Sequence, residues 1–362
     1  MIVLATAPAG AQARLTSGEA LDRALDGIMA LRGGPPGLSV LIDRPGSRDF
    51  RRRGLGDLRS GRRPTARDHM RIASVAKSYS GAVALALVAR GQLGLDDTIG
   101  QRLPGVLPRA NQVTLTQALQ HTGGLADYIR QPAFVRQFSR RPKAYISPAR
   151  ILAFVRDRPL RFRPGSRYEY SDTDNIVVAR MAEAATGRSY DDLLSAYVYR
   201  PLGARQTTLP RTTRLPTPFL HGYAVEPGQP PQDVSQALNP SGAWASGGIV
   251  STPLEVGRFF RGYVARDRRF QRRFVPGSSS PPGPGVNSAG LGLFRYRTRC
   301  GTVYGHTGSF PGYRLFAASS GDGRRSVVFS VNAQIVPGSG SAAVSNAIRR
   351  AQDLAVCAAL RS

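Results

Sequence analysis

The chain has 362 residues, 41% of them hydrophobic, enough for one large domain or two interlocked ones, so disorder is not its default state. Its formal net charge of +27 is carried almost wholly by arginine, with lysine only at Lys77 and Lys143. Such a field attracts nucleic acid, anionic lipid or acidic wall polymer, but the runs "RDFRRRGLGDLRSGRRP" and "RDRRFQRRF" lack regular aromatic interleaving and match no nucleic-acid motif, so nucleic acid is not an expected partner.

In chain order, residues 1–13, "MIVLATAPAGAQA", are apolar and uncharged and end in the A-x-A pattern of Ala11 to Ala13. They are read as the remnant of a secretory signal, which predicts an extracytoplasmic protein. "SGEALDRALDGIMAL" predicts a helix with Ser17 as its N-cap. Residues 37–57 predict two strands joined at Pro45-Gly46. From Ser74 a long apolar helix runs towards Gly91, and helical signals continue to about residue 240. Within that stretch "RFRPGSRYEYSDTDN" is a loop, and "VPGSSSPPGPGVNSAG" further on is another, too rich in proline and glycine for a strand interior. Strand alternation resumes in "GLGLFRYRTRCG", "TVYGHTGSFPGYRLFAAS" and "RRSVVFSVN", and a helix closes the chain.

These elements predict an α+β fold: a central antiparallel sheet built from both chain ends, flanked by helices, with an inserted all-helical domain. The division expected is an α/β domain of residues 14–73 and 245–362 and a mainly helical domain of residues 74–244, with the active site in the cleft between them. No apolar run approaches the ~18 to 20 residues of a membrane span. Cys300 and Cys357, an even pair in a chain with a signal-like start, predict one disulfide. The four histidines are scattered and no clustered ligand spacing occurs, so no metal site is expected.

Lys77 follows Ser74 by three positions. If Ser74 opens a helix, Lys77 lies on the same face one turn on and leans back over the serine. A serine hydroxyl needs a base within hydrogen-bond reach. Arginine stays protonated in a protein, whereas a desolvated lysine can give up its proton. In a chain that otherwise uses arginine, a lysine here is informative.

Two more stretches follow in order, Tyr170-Ser171-Asp172 in a loop before an apolar helix and His306-Thr307-Gly308 at a strand start. Together with Ser74-x-x-Lys77, and with "GQLGLDDTIGQRLPG", "VTLTQALQHTGGLADY", "RFRPGSRYEYSDT" and "YGHTGSFPGY", this order resembles the serine β-lactamase-like superfamily, which includes penicillin-binding proteins. Within it the chain most resembles D-alanyl-D-alanine carboxypeptidases and class C β-lactamases. The resemblance implies the fold just described, with Ser74 acylated, Lys77 taking or tuning its proton, and Tyr170 sharing the acid/base work and protonating the leaving group. It implies that His306 stands for the lysine of a K-T-G triplet, keeping a donor or positive charge near the tyrosine. It also implies an oxyanion hole of the Ser74 and Ser309 backbone N–H groups, substrate contacts from Asp172, Thr307 and Gly308, and no cofactor. The similar triplet His121-Thr122-Gly123 ends a helix and is read as a structural C-cap. Trp244, the only tryptophan, is read as core, with a wall of the substrate cleft as the second reading.

The sequence departs from the family pattern at Asp172, where Y-x-N is usual. An ionised carboxylate only accepts hydrogen bonds, and beside Lys77 it keeps the proton on the lysine. Alternation along Leu293 to Arg297 sets Phe294 and Tyr296 on one face and the arginines on the other, which disfavours a carboxylate-binding arginine. The leading expectation is a monomeric D-Ala-D-Ala carboxypeptidase-like enzyme acting on small peptides or esters, with β-lactams as acylating ligands. The alternatives are an esterase, a D-amino-acid amidase or a class C-like β-lactamase, and, from another class, a module that docks on acidic cell-wall polymer.

Overall fold

The structure, a computed structural model, describes residues 16–226, 228–266, 274–335 and 342–361. The signal remnant at residues 1–13 lies outside them. Helix α1 (Ser17–Ala30) is capped one residue earlier than the sequence suggests: Thr16 and Glu19 form a reciprocal capping box, leaving Ser17 as the first helical residue. Its Leu21, Leu25 and Ile28 recur at helical spacing and are fully buried. Strands β1 (Gly37–Arg44) and β2 (Ser47–Gly54) pair from Arg44↔Ser47, so Pro45-Gly46 is the two-residue turn expected, with φ +72° at Gly46.

The helical region includes α2 (Ala76–Val88) and α3 (Asp172–Thr186), which pack on each other, and α4 (Pro253–Arg266) returns to the sheet. The C-terminal part supplies β3 (Val275–Pro276), β4 (Val286–Ala289), β5 (Phe294–Thr298), β6 (Gly301–Phe310), β7 (Tyr313–Ser320), β8 (Ser326–Val331) and α5 (Ala342–Leu360). The sheet order is β2-β1-β8-β7-β6-β5-β4-β3, with every neighbouring pair antiparallel. Both chain ends therefore build one sheet. The proline-rich stretch was expected to be loop throughout but yields β3 and β4. β3 is the edge strand, where the N–H missing at Pro276 costs no ladder bond, and β4, next to it, is free of proline.

Strand β1 is buried on both faces because helices cover the sheet on each side. Leu38, Val40 and Ile42 pack with α1 and α5, while Leu41 joins α2, α4 and the helical region. Full burial of each such side chain is worth ~1.5–3 kcal/mol. Cys300 and Cys357 are joined by a disulfide that ties α5 to the start of β6. Trp244 is buried, edge-on to Tyr190. Among the described residues no helix is long and apolar enough to cross a membrane.

Candidate active site

Ser74 lies where the helical region meets the sheet. Met70-Arg71 bridges to Val250-Ser251, and Ala73 then takes a left-handed φ of +50° that turns the chain out of this ladder. The helix expected from Ser74 begins as a 3-10 turn, Ala73–Val75, and α2 proper starts at Ala76. The three-residue spacing still delivers the contact: Lys77 Nζ donates to Ser74 Oγ at 3.0 Å. Lys77 is 1% exposed, and its Nζ also donates to the Ser246 carbonyl at 2.8 Å and to Asp172 Oδ1. Its three N–H bonds thus meet three acceptors, the arrangement of an ammonium ion. The ring of Tyr170 lies 5.0 Å from the same nitrogen.

Ser171 caps α3 by accepting from the Thr173 N–H, which makes Asp172 the first helical residue. The helix N-terminus favours its carboxylate and directs it at Lys77. The Tyr170 hydroxyl is buried without a hydrogen-bond partner among the described residues. Burial, then the Asp172 charge, hold this phenol protonated far above its ordinary range, with the Ser74 hydroxyl acting in the opposite sense. Tyr170 is therefore a protonated phenol at rest.

His121 does more than end a helix. Its carbonyl accepts the Glu169 N–H at 2.9 Å, its Nδ1 accepts the Ser171 N–H at 3.4 Å, and its ring centre lies 4.5 Å from that of Tyr170. Nδ1 also meets Asp174 Oδ2 at 2.7 Å. Burial drives both groups the same way, raising Asp174 well above the carboxylate range and lowering His121 to about 3. The result is a neutral buried pair gripping the tyrosine loop.

His306 and Gly308 face this site from β6. The Cβ that Gly308 lacks would lie 2.6 Å from the Ile72 carbonyl and 3.3 Å from Ser74 N. Gly308 thus lets β6 close on the nucleophile turn, and packing rather than substrate contact is what its position requires. His306 Nδ1 donates to the Thr307 carbonyl at 2.5 Å, leaving Nε2 as a buried acceptor without a partner among the described residues. Burial and the Lys77 charge push His306 well below its ordinary value. It is a neutral imidazole, so of the donor or positive charge expected there the charge is absent. The Thr307 side chain alternates to the opposite face and its hydroxyl donates to the Pro281 carbonyl at 2.6 Å, so it is not presented to substrate as expected. The β5 pairing ends at Gly305, so from His306 onwards that edge of β6 has no strand neighbour among the described residues. Ser309 lies on this edge and its hydroxyl accepts from Gln334 Nε2 at 3.2 Å.

Ser74, Asp172 and Ser309 open into a cavity of about 250 Å³. Ile129, Phe134, Phe138, Leu238 and Phe310 give it apolar walls, and no arginine or lysine lines it among the described residues. Arg295 stacks on Phe274 at 4.5 Å and Arg297 is exposed, as their alternation predicts.

Sequence reasoning missed Asp127. It accepts from the Asp172 N–H at 3.3 Å, and burial together with the Asp172 charge pushes it up to about 7. A lone acid in "GGLADY" carries no signal of this. Its raised value means that the folded state binds a proton the unfolded chain has released. Its contribution to stability is present below its ordinary 3.8 and is lost as pH rises towards about 7. Asp127→Asn keeps the acceptor oxygen, and thermal melts are expected to show its Tm gain over the parent larger at pH 8 than at pH 5. An equal offset at both pH values would show that Asp127 does not titrate in this window.

Fold and site together define a serine hydrolase: a buried serine-lysine pair at the junction of an antiparallel sheet and a helical insertion. The chain belongs to the Beta-lactamase family, whose family model matches residues 21–349. It is 28% identical over 324 residues to a D-aminopeptidase of Cereibacter sphaeroides (strain ATCC 17029 / ATH 2.4.9), covering 87% of this chain and 60% of that protein. It is 27% identical over 245 residues to the D-alanyl-D-alanine-carboxypeptidase/endopeptidase AmpH of Escherichia coli (strain K12), covering 65% and 59%. The chain thus spans about three-fifths of the length of these two curated relatives. Among solved structures, a D-stereospecific amidohydrolase from Streptomyces sp. superposes with a TM-score of 0.77 at 28% identity, over 92% of this chain and 98% of that one.

Proposed function

We propose that this enzyme is a serine amidohydrolase that cleaves small amino-acid amides or N-terminal peptide bonds through an acyl-enzyme at Ser74. The observation that carries this reading is the charge of the cavity: the Asp172 carboxylate at its polar end, apolar walls, and no cation among its described lining residues. A substrate's α-ammonium is compatible with that field, whereas the terminal carboxylate of a carboxypeptidase substrate has no counterion in it. The similarity to a D-aminopeptidase and a D-stereospecific amidohydrolase supports D-configured substrates.

In this mechanism Lys77 passes one proton to Asp172 and becomes the base for Ser74. Ser74 Oγ attacks the carbonyl carbon and its proton moves to Lys77. The tetrahedral oxyanion is held by the N–H groups of Ser74 and Ser309. Collapse breaks the C–N bond as Tyr170 gives its proton to the departing amine, and Lys77 restores it. Water then attacks the ester by the reverse relay and frees the acid. Asp172, unlike an amide, acts as a proton reservoir here. The disulfide supports an extracytoplasmic place of action.

The test compares kcat/KM for D-phenylalanine amide, its N-acetyl derivative, its L-enantiomer and an N-acyl-D-Ala-D-Ala peptide. The free-amine D-amide is expected to lead its acetylated form by roughly tenfold or more, since one uncompensated charge is worth at least 1.4 kcal/mol in such a site. Faster turnover of the N-acyl-D-Ala-D-Ala peptide would replace this reading with the carboxypeptidase.

A further inference from the structure

We propose that the segment spanning residues 129–145, at the mouth of the cleft, is a docking surface for an anionic lipid bilayer. Its centre is the Pro132–Arg140 helix, whose two sides differ. Phe134 and Phe138 turn inward, with ring centres 5.4 Å apart, and line the cavity. Val135, Arg136 and Arg140 turn outward and are exposed. The chain then runs through Arg141, Lys143 and Tyr145 across the wall of the cleft, where the Lys143 carbonyl accepts from Asn239 Nδ2 at 3.1 Å.

Two independent properties coincide on this segment. It carries Arg130, Arg136, Arg140, Arg141 and Lys143, all exposed, and not one acidic residue. Elsewhere the arginines are often neutralised: Arg51 and Arg53 by Asp22, Asp26 and Asp49, Arg161 and Arg167 by Glu169. Here only Arg130 has a carboxylate within reach among the described residues, Asp127 at 3.8 Å. The segment also holds Ile129, Val135 and Tyr145, exposed by 41%, 47% and 50%, which are three of the five exposed large hydrophobic side chains among the described residues. A soluble polyanion would use the charge and leave these apolar groups in water. A bilayer uses both, with cations at the headgroups and apolar side chains at the acyl boundary. Docking in this way turns the cleft mouth towards the membrane, and it is independent of which bond Ser74 cleaves.

The experiment is co-sedimentation of the full chain with vesicles of phosphatidylglycerol and phosphatidylcholine, and with phosphatidylcholine alone. Binding is expected only to the anionic vesicles. The pair Arg140→Gln and Arg141→Gln is expected to weaken it roughly thirtyfold, the effect of two basic groups at an anionic surface. A charge-matched control, Arg324→Gln with Arg361→Gln, changes two exposed arginines at the opposite end of the sheet: Arg324 follows Ser320 at the end of β7, and Arg361 reaches the Arg299 carbonyl before β6. It is expected to weaken binding less than threefold. Val135→Ser with Tyr145→Ser is expected to weaken vesicle binding and leave binding to soluble polyphosphate unchanged. No vesicle binding, equal loss in the control pair, or no effect of the apolar pair would each overturn the proposal. The last outcome would identify a soluble polyanion as the partner instead.

Discussion

Lys77→Arg is expected to lower kcat by roughly 10⁴-fold or more, into the range of Ser74→Ala, although it preserves the charge. The lysine nitrogen is held between the Ser74 hydroxyl at 3.0 Å, the Ser246 carbonyl at 2.8 Å and Asp172, in a site 1% exposed. A guanidinium is planar, larger, and permanently protonated. It can satisfy Asp172 but it cannot pass a proton on, so the route from Ser74 ends at the first step. The measurement is single-turnover formation of acyl-enzyme, followed by intact mass on an activated ester. A circular-dichroism spectrum and Tm must accompany it, because the substitution is buried. If a folded Lys77→Arg enzyme kept a tenth of the parent rate, the base would have to lie elsewhere, with Asp172 the first alternative.

Asp172 also decides how much of this site was legible in the sequence. Ser74, Lys77 and Tyr170 could be found because the chemistry restricts residue type, and because lysine is so rare in this chain that its position carries information. The sheet was legible for a different reason: short apolar runs before the Pro45-Gly46 turn and along residues 313–331 mark strands buried on both faces. What stayed hidden was long-range or carried by the backbone. His121 and Asp174 are 53 positions apart, and nothing local to either marks them as a pair. The Ser246 carbonyl that orients Lys77 is a main-chain group that any residue would supply. The neutrality of His306 follows from burial and from Lys77 nearby, neither of which a triplet encodes. Thr307 was assigned by analogy of motif, whereas strand alternation alone would have turned it away from His306. The edge strand β3 and its neighbour β4 were missed because a proline-rich stretch is excluded from a sheet interior but not from its rim, and the four residues of β4 contain no proline.

The close approach of β6 to the nucleophile turn makes Gly308→Ala the other large-effect substitution. The added methyl would sit 2.6 Å from the Ile72 carbonyl oxygen, 3.0 Å from Ala73 Cβ and 3.3 Å from Ser74 N. The first and last of these are backbone atoms, so no side chain can swing aside to make room. Either β6 or the Ala73–Val75 turn must retreat, and Ala73 is already held in a left-handed conformation with little freedom to adjust. The two N–H groups proposed to hold the oxyanion, those of Ser74 and Ser309, belong to the two pieces that must separate. Displacing one such donor costs ~10²–10³ in kcat, and relief of the overlap costs ~1–3 kcal/mol in stability. KM should change less than kcat, because the apolar cavity walls at Phe134, Phe138 and Leu238 are untouched. Steady-state kinetics with a free-amine amide and an activated ester would separate the cases. A loss of kcat on both substrates at near-constant KM supports an oxyanion hole shared between turn and strand. A Gly308→Ala enzyme with full kcat and a lowered Tm would show that the contact only holds the two lobes together.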